Sequence, residues 1–394
     1  MKSTVNNGSI TIFLEQRIDT TNASAVENDI AQITGANPNL VPEFDASSLE
    51  YISSAGLRVL LKTAKSFGKK IKVLNVSKDV YDIFETTGFT SILDVHKKLR
   101  EISVDGCELI GSGSYGKVYR LDRETIAKLY IPSVSLEMVQ HERDTAQKAF
   151  LLGVPTAISY DVVKSGDCYG AVFELLDAKT VAQIMNCDSS RVQEMGRKSA
   201  LFLKDLHKIV VDDNTFPKRK DELSEWAERV APFLEPGEAD EIRAFINDIP
   251  ETSTFLHGDF NSKNVMVQGD NFLLIDIGDA AVGHPVFDVA GLILAYIYLP
   301  HSPMPDEEKL RLLGFHLEDA QTMLNAMFSA YFNTDSPDEI QKKIQMIMPY
   351  ANILASYHGC RRANYAPDYI PMIIERSIRT KLLPSIKSRL PLEW

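Results

Sequence analysis

A chain of 394 residues, with 44 % hydrophobic and 24 % charged residues, has an ordinary globular composition and the length of two or three domains. The formal charge of −12 argues against non-specific nucleic-acid binding. No apolar run is long enough for a membrane span, the N-terminus MKSTVNNGSI lacks a signal-peptide core, and the four cysteines form no CxxC pair, so a cytoplasmic protein without zinc or disulfides is expected.

The chain opens with alternating Ile10, Ile12 and Leu14, which predict a strand over Ser9–Leu14. Thr20–Asn22 can cap a helix with Ala23, Val26, Ile30 and Ile33 on its apolar face. A strand over Leu40–Asp45, a helix carrying Leu57, Leu60, Leu61, Ala64 and Phe67, and a strand over Ile71–Leu74 follow. A short helix through Val80, Ile83 and Phe84 and a strand over Ile92–Val95 complete a small sheet covered by helices on one side. Pro42 inside the second strand predicts a bulge or a displaced start. Residues 1–100 hold 12 basic and 11 acidic residues and the remainder 30 and 43, so the acidity belongs to the second part. There it would favour a cationic substrate, and it serves solubility equally well.

The segment FDASSLEYISSAGLRVLL (Phe44–Leu61) resembles the STAS domain, the fold of anti-sigma factor antagonists. The resemblance spans residues 1–100 and implies a serine at the strand-to-helix turn whose phosphorylation switches binding of a regulatory partner. The switch serine of that family commonly follows an Asp. Here Ser53 stands in the place of that Asp, leaving Ser54 as the better candidate. A phosphate there would meet free N–H groups at a helix start, whereas both hydroxyls could simply cap the helix.

After a charged connector, His96–Asp105, comes Ile110-Gly-Ser-Gly-Ser-Tyr-Gly-Lys-Val118. Dinucleotide folds also use GxGxxG, but there the loop leads into a helix. Here strands are expected at Val118–Leu121 and Thr125–Tyr130, and strand–loop–strand is the kinase arrangement, with backbone N–H groups over the phosphates of ATP. Lys128 lies on the second strand, and Glu142 lies in a helix-like stretch over Ser135–Leu152. Two strands flank the turn Ser165–Asp167 within Val162–Leu176, and Arg191–Val210 is an amphipathic helix ending in LKDLHK. Two further helical patterns lie in Leu223–Asn247, around Pro236-Gly237.

The stretch FLHGDFNSKNVMVQGDNFLLIDIGD (Phe255–Asp279) then predicts a loop and a two-stranded hairpin turning at Gly269-Asp270. Asp259 lies on the loop, Asn264 at the start of the first strand, and Asp276 just past the second. Phosphoryl transfer asks for such a set: a carboxylate to accept a hydroxyl proton, and hard oxygens for the magnesium that neutralises the phosphates. Helices are expected beyond it at Ala290–Tyr298, Leu317–Asn333, Glu339–His358 and Tyr369–Leu390.

HGDFNSKN followed by IDIGDAAVGHPVFDVA resembles the catalytic and metal-binding segments of the aminoglycoside phosphotransferase/choline kinase-like family, relatives of protein kinases. The resemblance implies Asp259 as catalytic base, Asn264 and Asp276 as magnesium ligands, and Asp288 as a structural residue. It implies nucleotide contacts from Gly111, Gly113, Gly116 and Val118, from Lys128 held by Glu142, and from the hinge backbone between Glu174 and Leu176. His284 departs from the family, which often has an acidic residue there.

The expected fold class is therefore α/β: a STAS-like sheet with helices over residues 1–100, then a bilobal protein-kinase-like part over 101–394. Its small β lobe would span about 104–176 and its larger, mainly helical lobe about 177–394. The expected function is transfer of the γ-phosphoryl group of ATP, or of GTP, to a hydroxyl of an unidentified small molecule, coupled to a STAS module that meets a regulatory protein. Three alternatives are a protein serine kinase acting on STAS domains including its own Ser54, a nucleotide-sensing scaffold without turnover, and an aminoglycoside-resistance enzyme.

Overall fold

In the computed structural model, which describes residues 1–6, 8–113, 115–212 and 215–394, Ile10, Ile12 and Leu14 lie on the buried face of strand β2 (Ser9–Ile18). Strand β1 (Ser3–Asn6) pairs antiparallel with its start. The chain continues through α1 (Ala23–Gly35), β3 (Val41–Ile52), α2 (Ser54–Phe67), β4 (Lys72–Val76), α3 (Lys78–Thr86) and β5 (Asp94–Lys97), ending in a short strand β6 (Arg100–Glu101). Strands β2 to β5 are parallel and adjacent in sequence order, as helical crossovers require. Ile30, Leu57, Leu60, Val80 and Phe84 from the helices pack with Ile12, Leu14, Phe44 and Val73 in one core.

Two expectations are corrected in this unit, Met1–Ser103. Strand β3 continues to Ile52 instead of ending at Asp45, and it is irregular against β2 past Phe13, where Gln16 adopts a φ of 50°. Of the two outcomes expected for Pro42, the bulge does not occur: the strand starts at Val41, one residue later than expected, and Pro42 is its second residue, pairs in register with Ile10 and precedes the first pairing with β4 at Phe44. A proline at a strand start leaves no ladder hydrogen bond unmade on that side.

The second unit, Val104–Trp394, begins with β7 (Glu108–Ser112), β8 (Gly116–Arg120), β9 (Thr125–Tyr130), helix α4 (Leu136–Leu151), β10 (Ser159–Ser165) and β11 (Cys168–Glu174). Strands β10, β11, β9, β8 and β7 lie side by side in that order, all antiparallel. Gly116 is obligatory for this sheet, since a Cβ there would stand 2.2 Å from the Leu129 carbonyl oxygen. Gly111 and Gly113 are not crowded in this way, so their lack of a side chain leaves the loop open above the strands.

A short strand β12 (Lys179–Thr180) and helices α5 (Val181–Cys187), α6 (Val192–Leu206), α7 (Arg219–Val230) and α8 (Pro236–Asn247) follow, then β13 (Phe255–Leu256). The hairpin consists of β14 (Val265–Gln268) and β15 (Asn271–Leu274), with Gly269 at a φ of 60° in its turn. After β16 (Ala281–Val282) come α9 (Val286–Ile293), α10 (Asp306–Leu313), α11 (Ala320–Phe332) and α12 (Pro337–Arg362). Helices α13 (Ile370–Ile373) and α14 (Leu383–Lys387) are joined by a π-helical stretch, Ile374–Leu382. Their apolar faces close on Trp226, Phe245, Tyr296, Phe315 and Phe328 in a second core. Among the described residues, no helix is long and apolar enough to cross a membrane.

Gly116→Ala is expected to destabilise this unit by about 1–3 kcal/mol, because a backbone atom must move to admit the methyl group. Thermal denaturation should show the loss for Gly116→Ala and none for Gly113→Ala.

Candidate active site

The loop before the hairpin is held by a buried carboxylate. Asp288, in the first turn of α9 and 2 % exposed, accepts the backbone N–H of His257 at 2.9 Å and that of Gly258 at 2.8 Å. His207, at the end of α6, adds its Nε2 at 3.2 Å and meets the Tyr331 hydroxyl through Nδ1 at 2.7 Å. Burial would raise the Asp288 pKa, but these donors outweigh it and hold the carboxyl below its ordinary value. The backbone turns at Gly258 with a φ of 84°, where a Cβ would stand 2.0 Å from the Asp279 carbonyl oxygen.

Asp259 follows that glycine. Its backbone N–H donates to His257 Nδ1 at 3.2 Å, and the Nε2 of the same ring lies 3.3 Å from the Ile275 carbonyl. Asn261 donates to Asp259 Oδ1 at 3.1 Å and Asn264 donates to Oδ2 at 2.9 Å, so both carboxylate oxygens are oriented. The carboxylate opens to solvent yet is ringed by protein atoms. That desolvation, opposed by His257 and reinforced by Asp276 and Asp279, pushes its pKa up to about 6.

The hairpin sets the other two groups. The Asn264 carbonyl accepts the Ile275 N–H at 3.0 Å across the paired strands, and Asp276 comes next with a φ of 60°. That left-handed conformation is uncommon for a residue with a side chain and marks local strain. Asp276 Oδ1 reaches Lys128 Nζ at 2.8 Å, and the same ammonium binds Glu142 Oε1 at 2.7 Å. Burial alone would lower the Lys128 pKa, but the Asp276 and Glu142 carboxylates raise it far above the ordinary value. Gly278 faces Glu142, and a Cβ there would approach its Cγ to 3.3 Å.

The structure thus brings Asp259, Asn264, Asp276, Lys128 and Glu142 together. Val118 pairs with Lys128 across β8 and β9, in the strand that follows Gly111, Gly113 and Gly116. At the expected hinge the Glu174 and Leu175 amides are already donated, to the Ile158 and Glu124 carbonyls at 2.9 and 2.7 Å, and the Glu174 side chain turns back to accept the Ile158 N–H at 3.3 Å. Leu176 is half-buried. Ser53 and Ser54 belong to the first unit. The Ser53 hydroxyl caps α2, accepting from the Ala55 and Gly56 amides at 3.2 and 3.5 Å, and Ser54 is exposed at the first helical position.

Sequence reasoning missed three supports. Arg219, 2 % exposed, donates to the Asp279 carbonyl at 2.8 Å, but it sits in a charged run that reads as surface. Arg361 pairs with Asp279 at 3.1 Å across 82 residues of chain. The Tyr296 hydroxyl accepts the Ser262 N–H at 2.9 Å within the loop before the hairpin. Only the apolar surroundings of Tyr296 signalled that its hydroxyl would need a buried partner.

The model of the phosphotransferase enzyme family (APH) matches residues 106–323, more than half of the chain, and the STAS domain model matches residues 1–102. The chain is 33 % identical over 101 residues to a Bordetella bronchiseptica protein named as an anti-sigma factor antagonist, BtrV, which takes in 24 % of this chain and 85 % of that protein. Among solved structures, the gentamicin complex of APH(2″)-IIa is similar at 16 % identity, with 79 % of this chain and 99 % of that chain covered and a TM-score of 0.45. A choline/ethanolamine kinase family protein from Mesorhizobium loti is similar at 14 % identity, covering 72 % and 92 %, with a TM-score of 0.41.

Two outcomes are expected from the geometry of this loop. Asp288→Ala strands two buried N–H groups and should cost about 3 kcal/mol in urea denaturation. A carboxyl NMR titration should place the Asp259 inflection near 6, with the proton bound below that pH. In Asp279→Asn, where one neighbouring negative charge is gone, the inflection should move to lower pH.

Proposed function

This chain belongs to the phosphotransferase enzyme family, and from that premise we propose that it transfers the γ-phosphoryl group of ATP to a hydroxyl of a small molecule under the influence of its STAS domain. The observation that carries the reading is the convergence of Asp259 with Asn264, and of Lys128 with Asp276 and Glu142, in one connected polar cluster.

Each group suits a step of the transfer. With a pKa near 6, Asp259 is ionised at neutral pH yet basic enough to take the proton of an attacking hydroxyl. Asn261 and Asn264 fix the direction of its oxygens, which is the positioning that phosphoryl transfer chiefly needs. The Asn264 amide spends its N–H on Asp259, leaving Oδ1 as a hard oxygen, and Asp276 directly follows the residue whose N–H meets the Asn264 carbonyl, so the donor types of the two residues suit a magnesium ion. Magnesium, when bound, would neutralise phosphate charge. Lys128, anchored by Glu142, supplies a permanent cation for the phosphates, and Gly111 and Gly113 add no side chain of their own at their two positions of the loop. At the hinge, with the Glu174 and Leu175 amides occupied, the Leu176 amide is the group left to meet adenine.

A second reading, a serine kinase acting on STAS domains, is favoured by one observation. The Ser53 hydroxyl is occupied by capping, whereas Ser54 is exposed at the helix start, where a phosphate would meet the helix dipole.

The test is incubation with magnesium and γ-labelled ATP, with and without a panel of hydroxyl compounds including aminoglycosides and amino alcohols. Asp259→Ala is expected to retain nucleotide binding and to lose about a thousandfold in transfer rate. Label on the protein itself, abolished by Ser54→Ala, would favour the second reading. Nucleotide binding with no transfer to any acceptor would overturn both.

A further inference from the structure

Asp279 borders the loop of Asp259 on the side away from Lys128. Its carbonyl oxygen lies so close to Gly258 that a Cβ there would stand 2.0 Å from it. Its carboxylate is one of the two that raise the Asp259 pKa. A group packed on Asp279 therefore stands beside the place where an acceptor hydroxyl would meet Asp259.

The last turn of α12 is what packs there. His358, Arg361 and Arg362 are three and four residues apart, so they share one face of that helix. Arg361 Nη1 donates to Asp279 Oδ1 at 3.1 Å, and the guanidinium lies 5.4 Å from the centre of the Tyr357 ring. That bond uses one N–H of the fork, and the side chain remains 44 % exposed. Arg219, by contrast, is buried and already spent on Glu222 at 2.7 Å and on the Asp279 carbonyl at 2.8 Å. Basic residues in a last helical turn also suit the helix dipole, but that role gives Arg361 no reason to reach Asp279.

Charge at this corner runs against the acidity of the second part as a whole. Burial and the charges of Arg219, Arg362 and Arg361 push the His358 pKa down to about 4, with Asp279 opposing, so the ring is neutral at pH 7. Arg361 and Arg219 in turn hold the Asp279 carboxyl below its ordinary value, against its burial. An ammonium arriving here would meet two arginines and a carboxylate that is already paired. An anionic group would meet the fork of Arg361, the second guanidinium of Arg362 and an imidazole that can donate. Such forks match the paired oxygens of carboxylates and phosphates.

We propose that His358, Arg361 and Arg362 form the acceptor-recognising wall beside Asp259 and select a hydroxyl compound that carries a carboxylate or phosphate group. This rests on the phosphotransferase reading and names the chemical class of its acceptor. In the transfer, the acceptor oxygen bonds to the γ-phosphorus as the bond to the β-phosphate oxygen breaks. ADP leaves, and the hydroxyl proton passes to Asp259. The anionic group stays on the arginines throughout, so they contribute chiefly to affinity for the acceptor.

The test is transfer from γ-labelled ATP with magnesium, by the full chain, to compounds of one frame: glycerol, glycerate, phosphoglycerol and aminopropanediol, with gentamicin beside them. Glycerate or phosphoglycerol is expected to exceed aminopropanediol and gentamicin by about tenfold or more in kcat/KM, and whichever leads names the anion. Arg361→Gln and Arg362→Gln should each raise the KM of the favoured anion roughly tenfold, more than they change kcat. Arg361→Lys, which keeps the charge without the fork, should recover part of that loss. Preference for aminopropanediol or gentamicin, or equal use of every compound, would overturn the proposal and leave the phosphotransferase reading standing. An unchanged KM in both glutamine variants would overturn the assignment of this turn. Transfer to none of the compounds would overturn the proposed function and this inference with it, an outcome seen in the wild type before any variant is made.

Discussion

One buried carboxylate determines where the loop of Asp259 stands. Asp288 has no access to water, so it is tolerable only because two backbone amides and an imidazole donate to it. The amides belong to His257 and Gly258, the residues immediately before Asp259. The loop is thereby fastened to α9, in the helical core, and the direction of the Asp259 side chain follows from that fastening. Gly258 completes the constraint, because its backbone presses against the Asp279 carbonyl more closely than any side chain would allow.

A second constraint joins distant segments. Lys128 on β9 and Asp276 after β15 are 148 residues apart in sequence and 2.8 Å apart in space. Asp276 is held in a left-handed conformation that costs free energy, and its ion pair with Lys128 offsets part of that cost. A strained residue with a strong electrostatic partner responds sharply when the partner is claimed by a ligand. The hairpin pairing of Val265–Gln268 with Asn271–Leu274 keeps the strained segment in register beside Asn264.

Much of this was legible in the sequence, for identifiable reasons. The hairpin announces itself through Gly269-Asp270 between two apolar runs, and its polar residues fall at fixed offsets from that turn. The parallel strands of the first unit show through Ile10, Ile12 and Leu14 and through the helix carrying Leu57 and Leu60. Strand β1 was not legible, because Ser3, Thr4 and Val5 stay exposed and the strand adds to the start of β2 without an apolar pattern of its own. Helix α10 was missed because DEEKLRLL buries only Leu313 and carries almost no apolar period. The supports of the candidate site, Arg219, Arg361 and Tyr296, depend on contacts between segments far apart in the chain. Local patterning carries no trace of such contacts.

The two hydrophobic cores have a consequence of another kind. The first draws its buried residues from Ile12 to Leu93 and the second from Ala149 to Ile386, and among the described residues no segment contributes to both. A gene fusion joining the two parts would not have needed to alter a single interior residue of either. A substitution in one interior, such as Phe84→Ala, therefore removes buried apolar surface from that cluster and from no residue of the other.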